Sequence, residues 1–291
     1  MKARLLALAA LLAPGLLACS SEPASGTATG QTQSGVITFA TFARILDEEG
    51  RLAEGLNVDG LVSPDGDAAS CGKRDYVSPE GEPGVDNQFG GLMPTIESKV
   101  GNENLGQLLA TAIANGQLLI LMSVEGLDDA VNDDAVTVKI AAGEGIPLLD
   151  SQGKFITYQT FGVDLETAPT SRVPGKVRNG VLEMGPGEAV LPVRVLDAKF
   201  NLDLHGVVGR FALTPDEKGG GVAMKGTISG GLETADFKGI IEKLNINKDA
   251  ISAAVTLVGL LADLHYDDNL GTCTQISAGL RVEATPAFVI P

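Results

Sequence analysis

Segment after segment in the second half of this chain alternates apolar and polar residues with a period of two. That pattern restricts the fold to one built mainly of β-strands with one face toward a core and the other toward water. It is clearest near the C-terminus, where Ile276, Ala278, Leu280, Val282 and Ala284 face one way. Ser277, Gly279, Arg281 and Glu283 face the other. Val136, Val138 and Ile140 repeat the alternation within 134–142, and Leu191, Val193 and Val195 within 190–195. Residues 154–163, 200–204, 207–213 and 222–228 read as further strands, with Phe211, Leu213, Met224 and Ile228 inward. Asn179-Gly180 falls in the middle of 176–184, and this dipeptide suits the left-handed turn of a two-residue hairpin.

Three segments have helical spacing instead. Ile96, Val100, Leu105, Leu108, Leu109, Ala112 and Ile113 form a stripe along 95–115, with Gly116 as a stop. Phe237, Ile240, Ile241 and Leu244 do the same over 235–244. Residues 251–264 are apolar nearly all round, which predicts a buried helix too short to cross a bilayer. The expected class is α+β: a large antiparallel β-sheet, sandwich or partial barrel, with two to three packed helices on one face or plugging one end. No second linker or internal repeat divides 36–291, so this stretch reads as a single β-rich domain.

The N-terminus reads as an address. Lys2 and Arg4 precede an apolar run from Leu5 to Leu17, the charged and apolar regions of an export signal over 1–18. The run ends Leu16-Leu17-Ala18-Cys19, which resembles the lipobox of bacterial lipoprotein precursors. The resemblance implies cleavage before Cys19, attachment of lipid to its thiol and acylation of the new amine, a combination that anchors stably. Ser20 and Ser21 follow, with no Asp at the second mature position, which implies sorting to the outer membrane. The small polar residues after Cys19 read as a flexible tether over 19–35. Two of the 21 basic residues fall in the signal, leaving 19 against 37 acidic ones, a net charge of −18. So acidic a surface repels nucleic acid and anionic headgroups, so the lipid and not the charge must hold the membrane.

Besides Cys19 the chain has Cys71 and Cys273. In the oxidising compartment that the signal implies, a remaining pair reads as one disulfide, the alternative being two buried thiols. Cys71 lies within 57–88, a stretch with Asp59, Asp65, Asp67, Asp75 and Asp86 among five glycines and three prolines. Such a composition excludes a helix or central strand. Ca²⁺ takes six to eight oxygens, which carboxylates and turn carbonyls supply, so these five aspartates are candidate Ca²⁺ ligands. The alternative is a surface loop whose carboxylates cap turns by accepting nearby amides. Asn57-Val58-Asp59-Gly60 copies the middle of an EF-hand loop, but glycine occupies both the first and the twelfth ligand positions, Gly55 and Gly66.

Asp67, Cys71-Gly72, Asp75, Pro79, Gly81 and the run Pro83-Gly84-Val85-Asp86-Asn87-Gln88 resemble a family of uncharacterised lipoproteins of Gram-negative bacteria. A Cys273, Ile276, Ser277, Gly279 strand near the C-terminus matches the same family. The resemblance implies a Cys-bearing Asp/Gly loop ahead of a helix and a β-rich body, and it implies no activity.

Catalytic patterns are thin. Ser70 and Lys73 fit Ser-x-x-Lys, but Ser-Asp-Asn and Lys-Thr-Gly are both missing. His205 and His265 are the only histidines, too few for a zinc site, and no Gly-x-Ser-x-Gly elbow offers a nucleophile. The expected function is a non-catalytic binding or structural role at the cell envelope, with a protein, glycan or lipid as ligand. The alternative is a carboxylate-dependent hydrolase, which needs two carboxyl groups at glycosidase spacing in a cleft. Twelve aromatic residues and no Trp argue against a sugar-stacking surface.

Overall fold

The computed structural model describes residues 30–100, 105–195, 198–217, 219–236, 239 and 248–291. The signal, Cys19 and most of the expected 235–244 helix therefore lie outside the described residues. In chain order the elements are β1 (Gln31–Phe42), β2 (Tyr76–Val77), β3 (Pro83–Val85), α1 (Met93–Val100), α2 (Leu105–Ala114), β4 (Ile120–Leu127) and β5 (Asp133–Glu144). They continue with β6 (Thr160–Val163), β7 (Ser171–Arg178), β8 (Val181–Met184), β9 (Ala189–Val195) and β10 (Ala198–Pro215). The last are β11 (Val222–Glu233), α3 (Lys248–Leu261), β12 (Leu264–Asp267), β13 (Thr272–Pro286) and β14 (Phe288–Ile290).

Eight strands close into a ring in the order β1-β4-β5-β7-β8-β10-β11-β13, and β13 pairs back onto β1. Every pairing is antiparallel and follows chain order, so the body is an up-and-down barrel. Closure leaves the ring without a free edge. An eight-stranded barrel has an interior just wide enough for side chains to fill. Each strand contributes to that filling: Ile37, Met122, Val138, Val173, Leu182, Phe211, Met224 and Val282 are all buried in one cluster. Gly226 lies opposite Phe211, where an added Cβ would stand 1.9 Å from the Arg210 carbonyl oxygen.

The outer wall is charged. Glu125 of β4 meets Lys139 of β5 at 3.1 Å and Arg172 of β7 at 2.6 Å. Lys176 meets Glu183 at 3.3 Å, and Lys225 meets Glu283 at 2.8 Å. A barrel that crosses a bilayer carries its apolar band outside, the reverse of this arrangement. Among the described residues no helix is long and apolar enough to cross a membrane.

One end of the barrel is plugged. Met93, Ile113 and Val258, from α1, α2 and α3, join the barrel's own core cluster. The Phe42 and Phe89 rings lie 5.1 Å apart at this end. The opposite end opens as a cleft of about 370 Å³ lined by Gln31, Leu127, Asp128, Asp216 and Val222 among others. Outside the wall, β6 and β14 pair in parallel and cover a second apolar layer of Val36, Leu119, Leu121, Phe161 and Ala287.

Several expectations are corrected. The stretch 95–115 is two helices, with 101–104 outside the described residues. The tether over 19–35 is too long, because β1 already begins at Gln31. Main-chain pairing of Gln31 with Leu127 and Gln33 with Val124 holds this polar segment, which no side-chain pattern marks. The helix expected over 251–264 ends at Leu261 and is not buried all round, since Leu257 and Leu260 are exposed. The strand expected over 154–163 is confined to Thr160–Val163.

Candidate functional site

The stretch between β1 and α1 lies on the outer wall of β11 and β13, near the plugged end. Small side chains on that wall let the backbone approach. At Gly279 an added Cβ would lie 2.9 Å from the Ala43 Cβ and 3.6 Å from the Gly55 Cα. Ser229 Oγ accepts from the Leu56 amide at 3.2 Å, and the Ala43 amide donates to the Gly279 carbonyl at 2.8 Å. Asn87 is wholly buried: its Nδ2 donates to the Glu54 carbonyl at 2.8 Å, and its Oδ1 caps the turn at 88–92 by accepting from the Gly90 amide. Cys71 is bonded to Cys273, with Cα atoms 5.8 Å apart, so the loop is stapled to the start of β13.

Beneath the loop runs a buried polar chain. The Gln88 amide donates to Ser277 Oγ at 2.8 Å. Ser277 in turn donates its hydroxyl to Asp263 Oδ2 at 2.6 Å and its amide to Asp263 Oδ1 at 2.7 Å. Tyr76 donates to Gln88 Oε1 at 3.2 Å, and Gln88 Nε2 donates to the Arg74 carbonyl at 3.0 Å. Burial pushes Asp263 up to about 7, against the two bonds from Ser277 that favour its charged form.

Asp75 and Asp86 meet beside this chain. Asp86 Oδ2 accepts from the Val58 amide at 2.6 Å, and Asp75 Oδ2 from the Ser63 amide at 2.6 Å. Burial pushes Asp86 up to about 8, and the charges of Asp59, Asp75 and Asp263 push the same way. Asp75 is raised as well, first by burial and then by Asp59 and Asp67, while the Ser63 amide and a hydrogen bond from Asp86 oppose the shift. Both groups therefore hold a proton above the usual carboxylate range, as two neighbouring carboxyl groups do out of water.

The five expected ligands are therefore divided. Asp75 and Asp86 act on one another, with Asp59 close enough to act on both and Asp67 on Asp75. Asp59 and Asp67 also cap turns, accepting from the Leu61 and Ala69 amides at 2.8 and 3.0 Å. Asp65 is exposed. Among the described residues no group of three or more His, Cys, Asp or Glu is arranged around one point as a metal site. Asp263 escaped sequence reasoning, although it is the only charged residue in the run 250–264.

The other chemical groups lie elsewhere. Ser70 Oγ donates to the Lys73 carbonyl at 2.5 Å, which locks it into a turn. His205 pairs with Glu188 at 2.6 Å. A second cleft, at the plugged end, is lined by Arg44, Asp47, Glu48 and Tyr76 among others; at the open-end cleft Asp216 accepts from the Tyr158 hydroxyl at 2.6 Å. Asp47, at the plugged end, is held below the usual carboxylate range by the Leu52 amide. The aspartates with raised proton affinity line neither cleft, although Tyr76, bonded to their network, lines the one at the plugged end. No family model, curated protein or solved structure matches this chain.

Proposed function

We propose that the chain is an exported lipoprotein, held at the outer membrane through Cys19, whose barrel has a non-catalytic binding or structural role at the cell envelope. The observation that carries this reading is the Cys71–Cys273 bond, which ties a surface loop to the barrel across a 202-residue separation. Such bonds persist in oxidising compartments, where the signal over 1–18 would deliver the chain. The filled interior supports it too, because a ligand has to be met on the outer surface. Cells fed a labelled fatty acid are expected to incorporate label into the wild-type protein and none into Cys19→Ala. Label retained by the variant would move the lipid to another residue.

Within the same reading the loop takes one Ca²⁺ at Asp75 and Asp86, with Asp59 beside them. Two features favour it over capped turns alone. Arg74 is turned away, donating to the Glu49 and Gly50 carbonyls, so it does not neutralise the pair. Ser63 Oγ, on the residue whose amide binds Asp75, is buried without a hydrogen-bond partner among the described residues. Protons and Ca²⁺ would compete for the pair. Binding at a hundredfold excess over Kd stabilises by about 2.7 kcal/mol, several degrees in Tm for a domain of this size. Millimolar Ca²⁺ should therefore raise Tm over chelator at pH 8, less so at pH 5.5, and not at all in Asp86→Asn. Equal melting with Ca²⁺ and with chelator at pH 8 would leave the loop as capped turns.

A further inference from the structure

The wall carrying β6 and β14 ends in an apolar surface that no other described residue covers. Val289 packs inward on the layer around Phe161, while its neighbours Phe288 and Ile290 stand outward, 57% and 52% exposed. The segment between β5 and β6 continues the surface with Ile146 at 82% and Leu148 at 61%, joined by the exposed Ile156. These positions are contiguous. The Ile156 amide donates to the Leu148 carbonyl at 3.1 Å, Gln159 Nε2 donates to both the Leu148 and Ile156 carbonyls, and the Phe288 amide donates to the Gln159 carbonyl at 2.8 Å. The Tyr158 ring lies 5.9 Å from that of Phe288. The nearest charges are Glu144, Asp150, Lys154 and Asp164 along the same segments, and Asp216, which accepts from the Tyr158 hydroxyl at 2.6 Å.

Where the anchor enters decides what this surface meets. The Ala287 amide donates to the Ser34 carbonyl at 3.0 Å, so the patch adjoins the first residues of β1. Eleven residues lie between Cys19 and Gln31, a span of roughly 40 Å when fully extended. A lipid on Cys19 thus keeps the start of β1, and with it the adjoining wall, within about 40 Å of the bilayer. Apolar side chains with an aromatic pair beside them suit the headgroup boundary, as they do in proteins that lie in the interface. The net charge of −18 selects an uncharged or zwitterionic surface over an anionic one.

We infer that the Ile146, Leu148, Ile156, Phe288 and Ile290 surface rests on the lipid bilayer, so that the barrel lies against the membrane on its β6–β14 wall. This inference rests on the lipid-anchor reading. The chain has no Trp, so one introduced Trp reports its own position. The lipidated protein would be prepared with Phe288→Trp, with Leu148→Trp, or with Ala212→Trp. Ala212 is exposed on β10, opposite β4 in the ring. Each would be reconstituted in phosphatidylcholine vesicles with or without brominated acyl chains. Trp at 288 and at 148 is expected to lose at least twice the fraction of emission to the brominated lipid that Trp at 212 loses, and to emit at shorter wavelength. Equal quenching at all three positions would overturn the inference. So would a concentration-dependent blue shift at 288 without lipid quenching, which would assign the surface to a second copy of the chain. Protein that floats with the vesicles but shows equal quenching fails only this inference. Protein that does not float fails the anchor reading and the docking inference with it.

Discussion

Replacing Cys71 and Cys273 together by serine is expected to lower the unfolding free energy by about 5 kcal/mol. The bond closes a loop over a separation of 202 residues, and the loss of chain entropy that it imposes on the unfolded state grows with the logarithm of that length. A domain of this kind has roughly 5–15 kcal/mol in total, so the variant should approach the unfolding threshold at 37 °C. Urea titration of the double variant, compared with wild type under non-reducing conditions, measures the difference. There is a local consequence as well. Residues 63–75 are held by turn hydrogen bonds, by Asp75 and by the staple, with little apolar packing of their own. Without the bond, trypsin should cut after Lys73 or Arg74 many times faster than in wild type. Cutting at the base of the loop should stay slow, because Asn87 and Gln88 remain bonded to the Glu54 carbonyl and to Ser277. Matching urea midpoints and matching cleavage rates would mean that the barrel alone fixes the loop.

Stability is expected to fall by on the order of 5 kcal/mol between pH 5 and pH 8.5, the reverse of ordinary carboxylate behaviour. The sign follows from the buried aspartates. Asp263 near 7 and Asp86 near 8 hold protons that an unfolded aspartate releases near 3.9. Between those values the native state binds more protons than the unfolded one. Each such group then removes about 1.4 kcal/mol of stability per pH unit as pH rises, levelling off above its folded value. Their contribution is complete below pH 4 and is lost through pH 7–8. The acid limb has the opposite sign. Asp47, Asp150 and Asp267, held down by the Leu52, Lys154 and Asn269 amides respectively, lose their stabilising effect as pH falls toward 3. Asp86→Asn separates the causes. The amide keeps an oxygen for the Val58 N–H and a donor for Asp75 while removing the titration. The variant should be more stable than wild type at pH 8.5 and should show a flatter slope from pH 5. An unchanged slope would place the titration outside the Asp75–Asp86 pair. Urea midpoints at half-unit steps of pH, without Ca²⁺, read both limbs.

The period-two alternation of the chain's second half is realised in the barrel. Val136, Val138 and Ile140 enter the barrel from β5, Met224 and Ile228 from β11, and Ile276, Val282 and Ala284 from β13. The Asn179-Gly180 turn has positive φ at both residues, 52° and 77°, as the hairpin between β7 and β8 requires. These features are local: a strand's own pleat sends successive side chains to opposite faces, so one short segment suffices to read them. β4 went unread for a physical reason. Ile120 and Met122 fill the barrel while Leu119 and Leu121 lie under Phe161 outside it, so both faces are apolar and no alternation remains.

Parity of the cysteines and the export signal anticipated the bond between Cys71 and Cys273, although chemistry and not geometry supplied that pairing. Barrel closure through β1 was beyond the pattern, since Gln31 and Gln33 pair through the main chain, which carries no side-chain signature. The aspartates show the limit most plainly. Their number in 57–88 was legible, but which of them hold protons depends on the water excluded by β11, β13 and the loop together. Asp263 reaches Ser277 across 14 positions and Ser277 reaches Gln88 across 189, so this proton-holding network exists only once the barrel has brought the three together.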